Sequence, residues 1–183
     1  LVDLGNVYLG GLKRPDQAAK TFSSAVKLDP NNANAHFGLG ASYAVLKKTT
    51  EAFSELETVV RLTPNNLAAY MAMGNLYQEQ KDYDKARLAY DAALKIEPRF
   101  ADAAMAKGDL LALQGRFGEA KQSYKTVIAN APSQPLAYNN LAWIAAEEKT
   151  QLEEAVNWSK KAIELGPSVP QFKDTLAWVY RAK

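Results

Sequence analysis

The residue types that could perform catalysis or hold a metal ion are scarce in this sequence. It contains no cysteine, which excludes a disulfide framework, a thiol nucleophile and any cysteine-ligated zinc or iron–sulfur site. His36 is the single histidine, so a three-histidine metal site cannot form and a Ser-His-Asp triad is not favoured. The carboxylate pairs Glu147-Glu148 and Glu153-Glu154 lack a histidine partner and are interpreted as solvated helix faces. We therefore expect no catalytic residue, no metal ion and no cofactor.

One glycine pair could begin a dinucleotide-binding motif. Gly38 and Gly40 stand two residues apart, as the first two glycines of that motif do. The motif also needs a preceding strand and a third glycine, and both are missing around this pair. We interpret the two residues as glycines of a repeat, placed within a helix.

The composition is that of a globular chain with balanced charge. Apolar residues make up 48% and charged residues 23% of the 183 residues, which excludes a disordered or collagen-like chain. The net charge of +2 gives no whole-chain reason to expect nucleic acid as a partner. No run of 18 apolar residues is present, so no membrane span is expected. Because the chain begins with Leu1 rather than methionine, we interpret it as a fragment of a longer protein.

Five prolines reveal an internal repeat. Pro30, Pro64, Pro98 and Pro132 are each 34 residues apart, and Pro167 follows after 35. An apolar, helix-like run precedes each proline, and aligning the chain on the prolines brings further columns into register. The column of small residues contains Gly5, Gly40, Gly74, Gly108, Ala142 and Ala177.

These columns resemble the tetratricopeptide repeat (TPR), a 34-residue unit of two helices. The resemblance covers the whole chain and implies an all-α fold, a right-handed superhelical solenoid of antiparallel helix pairs. It implies a single domain over 1–183, with repeats at 1–32, 33–66, 67–100, 101–134 and 135–169 and a lone first helix at 170–183. One extra residue is inserted in the first repeat, near Gly10-Gly11, and one in the fifth, near Lys149-Thr150.

The repeat predicts eleven helices with simple packing rules. Their expected bounds are roughly 1–12, 15–28, 33–47, 50–62, 67–80, 83–96, 101–114, 117–130, 135–148, 152–165 and 170–183. Small residues at repeat positions 8, 20 and 27 let the helices approach closely, and a bulkier residue there would cost about 1–3 kcal/mol. Asn31-Asn32 and Asn65-Asn66 are expected to cap the helices that follow them. His36 is expected to be a packing residue with one satisfied ring nitrogen.

The resemblance also implies a peptide-binding groove. In the family, six positions of each first helix tend to face the concave side. At these positions we select nine candidate groove residues: Phe37, Met71, Asn75, Met105, Asp109, Asn139, Trp143, Asp174 and Trp178. The carboxylate clamp of some co-chaperone repeats needs a lysine at repeat position 5, and this chain has none there.

The charges at the groove positions are skewed towards acid. Six are acidic and only Arg181 is basic; the acidic residues are Asp3, Glu79, Asp102, Asp109, Glu147 and Asp174. Like charges that face each other across an interface weaken binding, so the groove is expected to reject acidic tails. The expected partner is a basic or apolar segment of another protein.

Three functions are compatible with this sequence. The leading interpretation is a non-catalytic scaffold that binds another protein or peptide in its groove. The alternatives are a structural module that self-associates through its solenoid ends, and an accessory domain of a larger protein. The segments YNNLAWIAAE and DTLAWVYRAK resemble TPR lipoproteins of bacterial export and extracellular-polysaccharide systems. This second resemblance favours a bacterial source and a periplasmic location without deciding the compartment.

The last helix carries an apolar face whose usual partner is missing. Phe172 and Val179 are expected to be buried against the preceding second helix. Leu176 and Tyr180 lie on the face that normally covers the second helix of the same repeat. We expect the parent chain to continue with that helix, and we expect the exposed face to support weak self-association in its absence.

Overall fold

The computed structural model describes all 183 residues and contains eleven helices and no strand. The helices form two compact units, Leu1–Ile96 and Glu97–Lys183. Each helix is too short or too polar to cross a lipid bilayer. The predicted all-α fold is confirmed, and the helix ends lie within two residues of the expected ones.

The first unit contains three helix pairs. In each pair a three-residue turn joins a first helix to a second helix that packs against it. The helices are α1 (Val2–Asn6, continued by a π-helical segment, Val7–Gly11), α2 (Pro15–Leu28), α3 (Ala33–Val45), α4 (Thr49–Leu62), α5 (Leu67–Glu79) and α6 (Tyr83–Ile96). Helix α2 also packs against α3, and α4 against α5, so that each pair is joined to the next within the unit.

The second unit contains two helix pairs and a final single helix. They are α7 (Ala101–Leu113), α8 (Phe117–Asn130), α9 (Pro135–Glu148), α10 (Leu152–Leu165) and α11 (Pro170–Ala182). Helix α8 packs against α9, and α11 packs against both α9 and α10.

The two inserted residues are absorbed in different ways. In the first repeat the backbone widens into the π-helical segment Val7–Gly11, which accommodates one additional residue per turn. In the fifth repeat α9 is 14 residues long, whereas α3, α5 and α7 have 13. Both insertions thus remain inside first helices and leave the following second helices in register.

Most glycines in the column of small residues lie against rings of the second helices, whereas Gly40 lies against the Leu56 side chain. A Cβ atom added to Gly108 would lie 2.6 Å from the Tyr124 ring, which is far inside van der Waals contact. The ring of Phe22 lies equally close to Gly5. In the fifth repeat the second helix carries the small residue Ser159, and there the column contains an alanine, Ala142. The predicted close approach of paired helices is confirmed.

Only one asparagine of each predicted pair caps a helix. The Asn32 side chain accepts a 3.0 Å hydrogen bond from the backbone N–H of Ala35. Asn66 accepts a 2.9 Å bond from Ala69 in the same way. Asn31 lies one residue before the N-cap. Its backbone N–H donates to the Asp29 side chain, within the turn that precedes the helix. The cap is therefore fixed at the second asparagine.

The turns inside the repeats share a left-handed residue. Lys47, Lys81 and Lys149 have φ angles of 58°, 62° and 52°, and Gly115 occupies the same place with φ 71°. The residue after each of these donates back to a carbonyl in the last turn of the first helix, as in Schellman motifs, at 2.9 Å in all four repeats. Glycine suits this conformation best, so the lysines there are unusual.

Candidate functional site

The nine predicted groove residues all lie on first helices, and all keep contact with solvent. Five are exposed: Asn75, Asp109, Trp143, Asp174 and Trp178. Four are half-buried: Phe37, Met71, Met105 and Asn139. We call the side of the first helices that carries these residues the first-helix face.

Asp109 of α7 is the centre of a hydrogen-bond network in the second unit. The Tyr124 hydroxyl, from the second helix α8, donates a 2.7 Å bond to Asp109 Oδ1. Asn140 of α9 donates a 3.0 Å bond from Nδ2 to the same oxygen. Asn139 in turn donates from Nδ2 to Asn140 Oδ1 at 3.3 Å. The network joins three helices and leaves Asp109 Oδ2 without a donor from the protein.

The surroundings of Asp109 shift two pKa values. Asp109 is exposed as a residue, but its carboxyl group is partly buried against Tyr124 and Asn140. This burial raises the pKa of the carboxyl, and the hydrogen bonds from Tyr124 and Asn140 partly oppose that shift. Burial also raises the pKa of the Tyr124 phenol, and the adjacent carboxylate raises it further. Tyr124 therefore remains a donor at any ordinary pH, and the Asp109 carboxyl lies in a site that solvates its charged form incompletely.

A cavity of about 450 Å³ opens beside this carboxylate. Its lining combines polar and apolar side chains and consists of Asp109, Ala112, Leu113, Tyr124, Asn140, Trp143 and Ile144. The Trp143 indole is 39% exposed and meets the Phe117 ring in a T-shaped contact with 5.9 Å between centroids. An exposed tryptophan held by another ring and placed beside an oriented carboxylate is an arrangement suited to ligand binding.

The first unit repeats part of this arrangement with a neutral side chain. Tyr90 of α6 donates a 2.8 Å hydrogen bond to Oδ1 of Asn75 and lies 3.1 Å from Oε1 of Gln78. This bond orients the Asn75 amide and leaves its N–H groups for an incoming acceptor. Asn75 and Gln78 line a second cavity together with Glu79. Glu79 also pairs with Lys47 at 2.8 Å, which reduces the acidity expected there.

The remaining candidates are not gathered around either cavity. Phe37 packs against the buried cluster of α4 and α5, so part of its ring serves the core. Trp178 and Asp174 lie on α11, and the Arg181 guanidinium lies over the Trp178 ring at 5.6 Å. Of the nine residues, the structure thus brings Asp109 and Trp143 together in one cavity, with Asn139 linked to it through Asn140.

The comparisons with known proteins agree with this architecture. The family model of the tetratricopeptide repeat matches residues 2–66, 71–135 and 114–170. The chain belongs to the tetratricopeptide repeat family. The comparison with curated proteins finds no significant match.

Several solved structures share the TPR fold. A crystal structure of MamA is 24% identical, covers 89% of this chain and 94% of its own, and has a TM-score of 0.79. YrrB, described as a TPR protein with an unusual peptide-binding site, is 21% identical over 94% of this chain and 88% of its own, with a TM-score of 0.73. TTC0263, a thermophilic TPR protein of Thermus thermophilus, is 25% identical over 98% of this chain and 97% of its own, with a TM-score of 0.67.

His36 is held at both ring nitrogens rather than at one. Its Nδ1 lies 2.6 Å from Glu55 Oε2, and its Nε2 lies 2.9 Å from the Pro30 carbonyl oxygen. The residue is buried and joins α3 to α4 and to the preceding turn, so the packing role expected in this TPR repeat holds with one more contact. No group of three or more His, Cys, Asp or Glu side chains is placed to bind a metal ion.

Three residues that hold the Asp109 site together, Asn140, Tyr124 and Phe117, were not among the nine candidates. Tyr124 and Phe117 belong to a second helix of the TPR repeat, which the family assigns to packing. A signal for Tyr124 does exist in the sequence: the two repeats with tyrosine at position 24 also have Asn75 or Asp109 at position 9. This pairing indicates a hydrogen bond between the two helices. No comparable signal marks Phe117.

The apolar face of α11 differs in part from the expectation. Phe172 and Val179 are fully buried, as predicted. Leu176 is half-buried because it packs against the core cluster that contains Ala142 and Val156. Part of Leu176 nevertheless stays open to solvent, and the covering of this face by a second copy stays a prediction. Tyr180 is 50% exposed and is the more open residue of this face.

Proposed function

We propose that this TPR chain is a non-catalytic interaction scaffold that binds an extended segment of another protein, basic or apolar, on the first-helix face of its second unit. The observation that carries the proposal is the cavity that Asp109 and Trp143 both line. TPR proteins are typically scaffolds without catalytic activity, and one of the structural neighbours is described as having a peptide-binding site.

The side chains of this cavity have the features of an interface anchor. Trp143 offers a large exposed ring whose orientation is restrained by Phe117, so little conformational entropy is lost on binding. Tryptophan is among the residues that dominate binding energy at protein interfaces. Asn140 and Tyr124 hold the Asp109 carboxylate in place. The cavity therefore combines an apolar contact with a fixed polar one, the combination that gives a peptide both affinity and orientation.

The charge of the face favours the predicted class of partner. Asp102, Asp109, Glu147 and Asp174 are all exposed in the second unit, and Arg181 is the one basic residue at the groove positions. A basic segment is attracted to such a face, and an acidic one is repelled. Phe37, Met71 and Asn75, on the first unit, remain predicted contacts of the same kind.

A peptide selection tests the proposed function. Random 12-residue peptides are selected by display on the wild-type chain, and their affinities are measured by fluorescence anisotropy. Trp143→Ala should weaken binding at least about tenfold, as expected for an interface hot spot. The control Leu88→Ala removes another exposed apolar side chain, 58% exposed, from the second helix α6. It should leave affinity within about twofold. Equal affinities for wild type and Trp143→Ala would contradict the proposal.

Self-association through α11 is the second candidate function. The exposed Tyr180, beside half-buried Leu176, favours it. Because Leu176 belongs to the core cluster, Tyr180→Lys is the cleaner variant. If α11 mediates association, the light-scattering mass of the wild type should rise with concentration and that of Tyr180→Lys should not. A constant monomer mass for both proteins would exclude this function for the chain.

A further inference from the structure

We propose that the cavity between Asp109 and Trp143 is a subsite for a single arginine side chain of the bound segment. The inference rests on the proposed function and adds the identity of the anchoring residue. It depends on three features of the cavity: the free oxygen of Asp109, the exposed part of Trp143 and the apolar residues that line the same cavity.

The carboxylate of Asp109 has room for one more strong donor. Its Oδ1 already accepts from Tyr124 and from Asn140, at 2.7 and 3.0 Å, which uses both lone pairs of that oxygen. Oδ2 has no donor from the protein. No lysine or arginine of this chain lines the cavity, so the negative charge has no cationic partner there. A cation from a ligand would complete the hydrogen bonding of the carboxylate and compensate its charge.

A comparison of two tryptophans indicates where such a cation would lie. Trp178 occupies the same repeat position as Trp143, one repeat later, and its ring is covered by the guanidinium of Arg181, three residues further along α11. The residue three positions after Trp143 is Ala146, which is buried and uncharged. Trp143 occupies the same repeat position as Trp178 but has no internal guanidinium over its ring, so an arginine of the partner can stack on its exposed part.

Arginine fits this cavity better than lysine. Its planar guanidinium stacks on an aromatic ring while its N–H groups still point sideways towards an acceptor, which a compact ammonium group cannot do as well. The methylene stem needs an apolar wall, and Leu113, Ala112 and Ile144 supply one. The lining of the cavity thus offers one contact for each of the three parts of an arginine side chain.

The test compares peptides that differ only in charge. A selected 12-residue peptide with one arginine at the anchoring position is synthesised again with citrulline, which keeps the shape and loses the charge, and with lysine. Binding is measured for the wild type, for Asp109→Asn and for Glu154→Gln, a control that removes one exposed negative charge from α10. Asparagine can still accept from Tyr124, as Asn75 accepts from Tyr90, so the variant retains the network.

We expect the wild type to bind the arginine peptide at least about fivefold more tightly than the citrulline peptide, with lysine between them. The preference should vanish in Asp109→Asn and persist in Glu154→Gln. If selected peptides bind the first-helix face but show no preference for arginine, or keep it in Asp109→Asn, the subsite is wrong and the proposed function stands. If no peptide binds that face, both are wrong.

Discussion

The Tyr124 hydroxyl donates a 2.7 Å hydrogen bond to Oδ1 of Asp109, from the second helix of a repeat to the first. Tyr90 makes the corresponding 2.8 Å bond to Asn75 one repeat earlier. The two sites therefore share this hydrogen bond but differ in charge. The Asn75 amide shows that a neutral side chain can accept the bond from the tyrosine hydroxyl. A carboxylate at Asp109 is consequently not required for the fold, and its charge is available for binding.

Replacing Asp109 with asparagine should stabilise the protein at neutral pH. Burial raises the pKa of this carboxyl in the folded state, which means that folding disfavours its charged form. The resulting loss of stability is present above the folded pKa and disappears as the pH falls through it towards the unfolded value of about 3.9. Urea unfolding of Asp109→Asn should give a higher midpoint than wild type at pH 7, and the difference should shrink towards pH 4.

The reciprocal change provides the control for this pH dependence. Asn75→Asp places a carboxylate against Tyr90 and should lower the unfolding midpoint at pH 7, with recovery at lower pH. A pH-independent difference between Asp109→Asn and wild type would show that the charge of Asp109 does not limit stability.

The glycine under Tyr124 should not tolerate an added methyl group. Gly108→Ala forces a Cβ atom to 2.6 Å from the tyrosine ring and should cost about 1–3 kcal/mol of unfolding free energy. Gly118→Ala is the matched control, because its Cβ meets no atom within 4 Å. That change should be neutral or stabilising by up to about 1 kcal/mol. Equal effects of the two substitutions in urea unfolding would contradict the packing described for this helix pair.

Much of the fold was predictable because it follows from a repeated local pattern. The proline spacing placed the helices, and the small residues placed their closest contacts. The predictions were incomplete where a side chain has several partners within reach: His36 makes a second ring contact, and Leu176 packs in part against the core cluster. The residues of the candidate site were predicted only from their positions in the repeat. The hydrogen-bond network of the site depends on Tyr124 of α8 donating to Asp109 of α7. The pairing of repeat positions 24 and 9 indicates this contact, but it gives neither the distance nor the further bond from Asn140.

The helix cap at Asn66 should contribute to stability, whereas its neighbour should not. Asn66→Ala removes the 2.9 Å hydrogen bond to the Ala69 N–H and should cost about 1 kcal/mol. Asn65 is exposed and precedes the cap, so Asn65→Ala should change the unfolding free energy by less than about 0.5 kcal/mol. Thermal and urea unfolding of the two variants gives the comparison. A larger loss of unfolding free energy for Asn65→Ala than for Asn66→Ala would contradict the assignment of Asn66 as the cap.

The left-handed lysines predict a simple stabilising substitution. Lys81 is exposed and has a φ of 62°, a conformation that glycine adopts without steric cost. Lys81→Gly should raise the unfolding free energy by about 0.5–1 kcal/mol, since relief of the strain exceeds the added entropy of the unfolded chain. Gly115→Ala, at the equivalent turn with φ 71°, should lower it by a similar amount. If Lys81→Gly lowered the unfolding free energy and Gly115→Ala raised it, the two turns would not share this geometry.

An NMR titration of the ¹⁵N-labelled chain with a selected arginine-containing peptide locates the bound segment residue by residue. We expect the largest shifts at the Trp143 indole, the Asn140 side-chain amide and the backbone amides around Asp109, with saturation at the affinity measured by anisotropy. Asp109→Asn should reduce these shifts at equal peptide concentration. Shifts confined to the second helices α8 and α10, with the Trp143 and Asn140 signals unmoved, would contradict binding on the first-helix face.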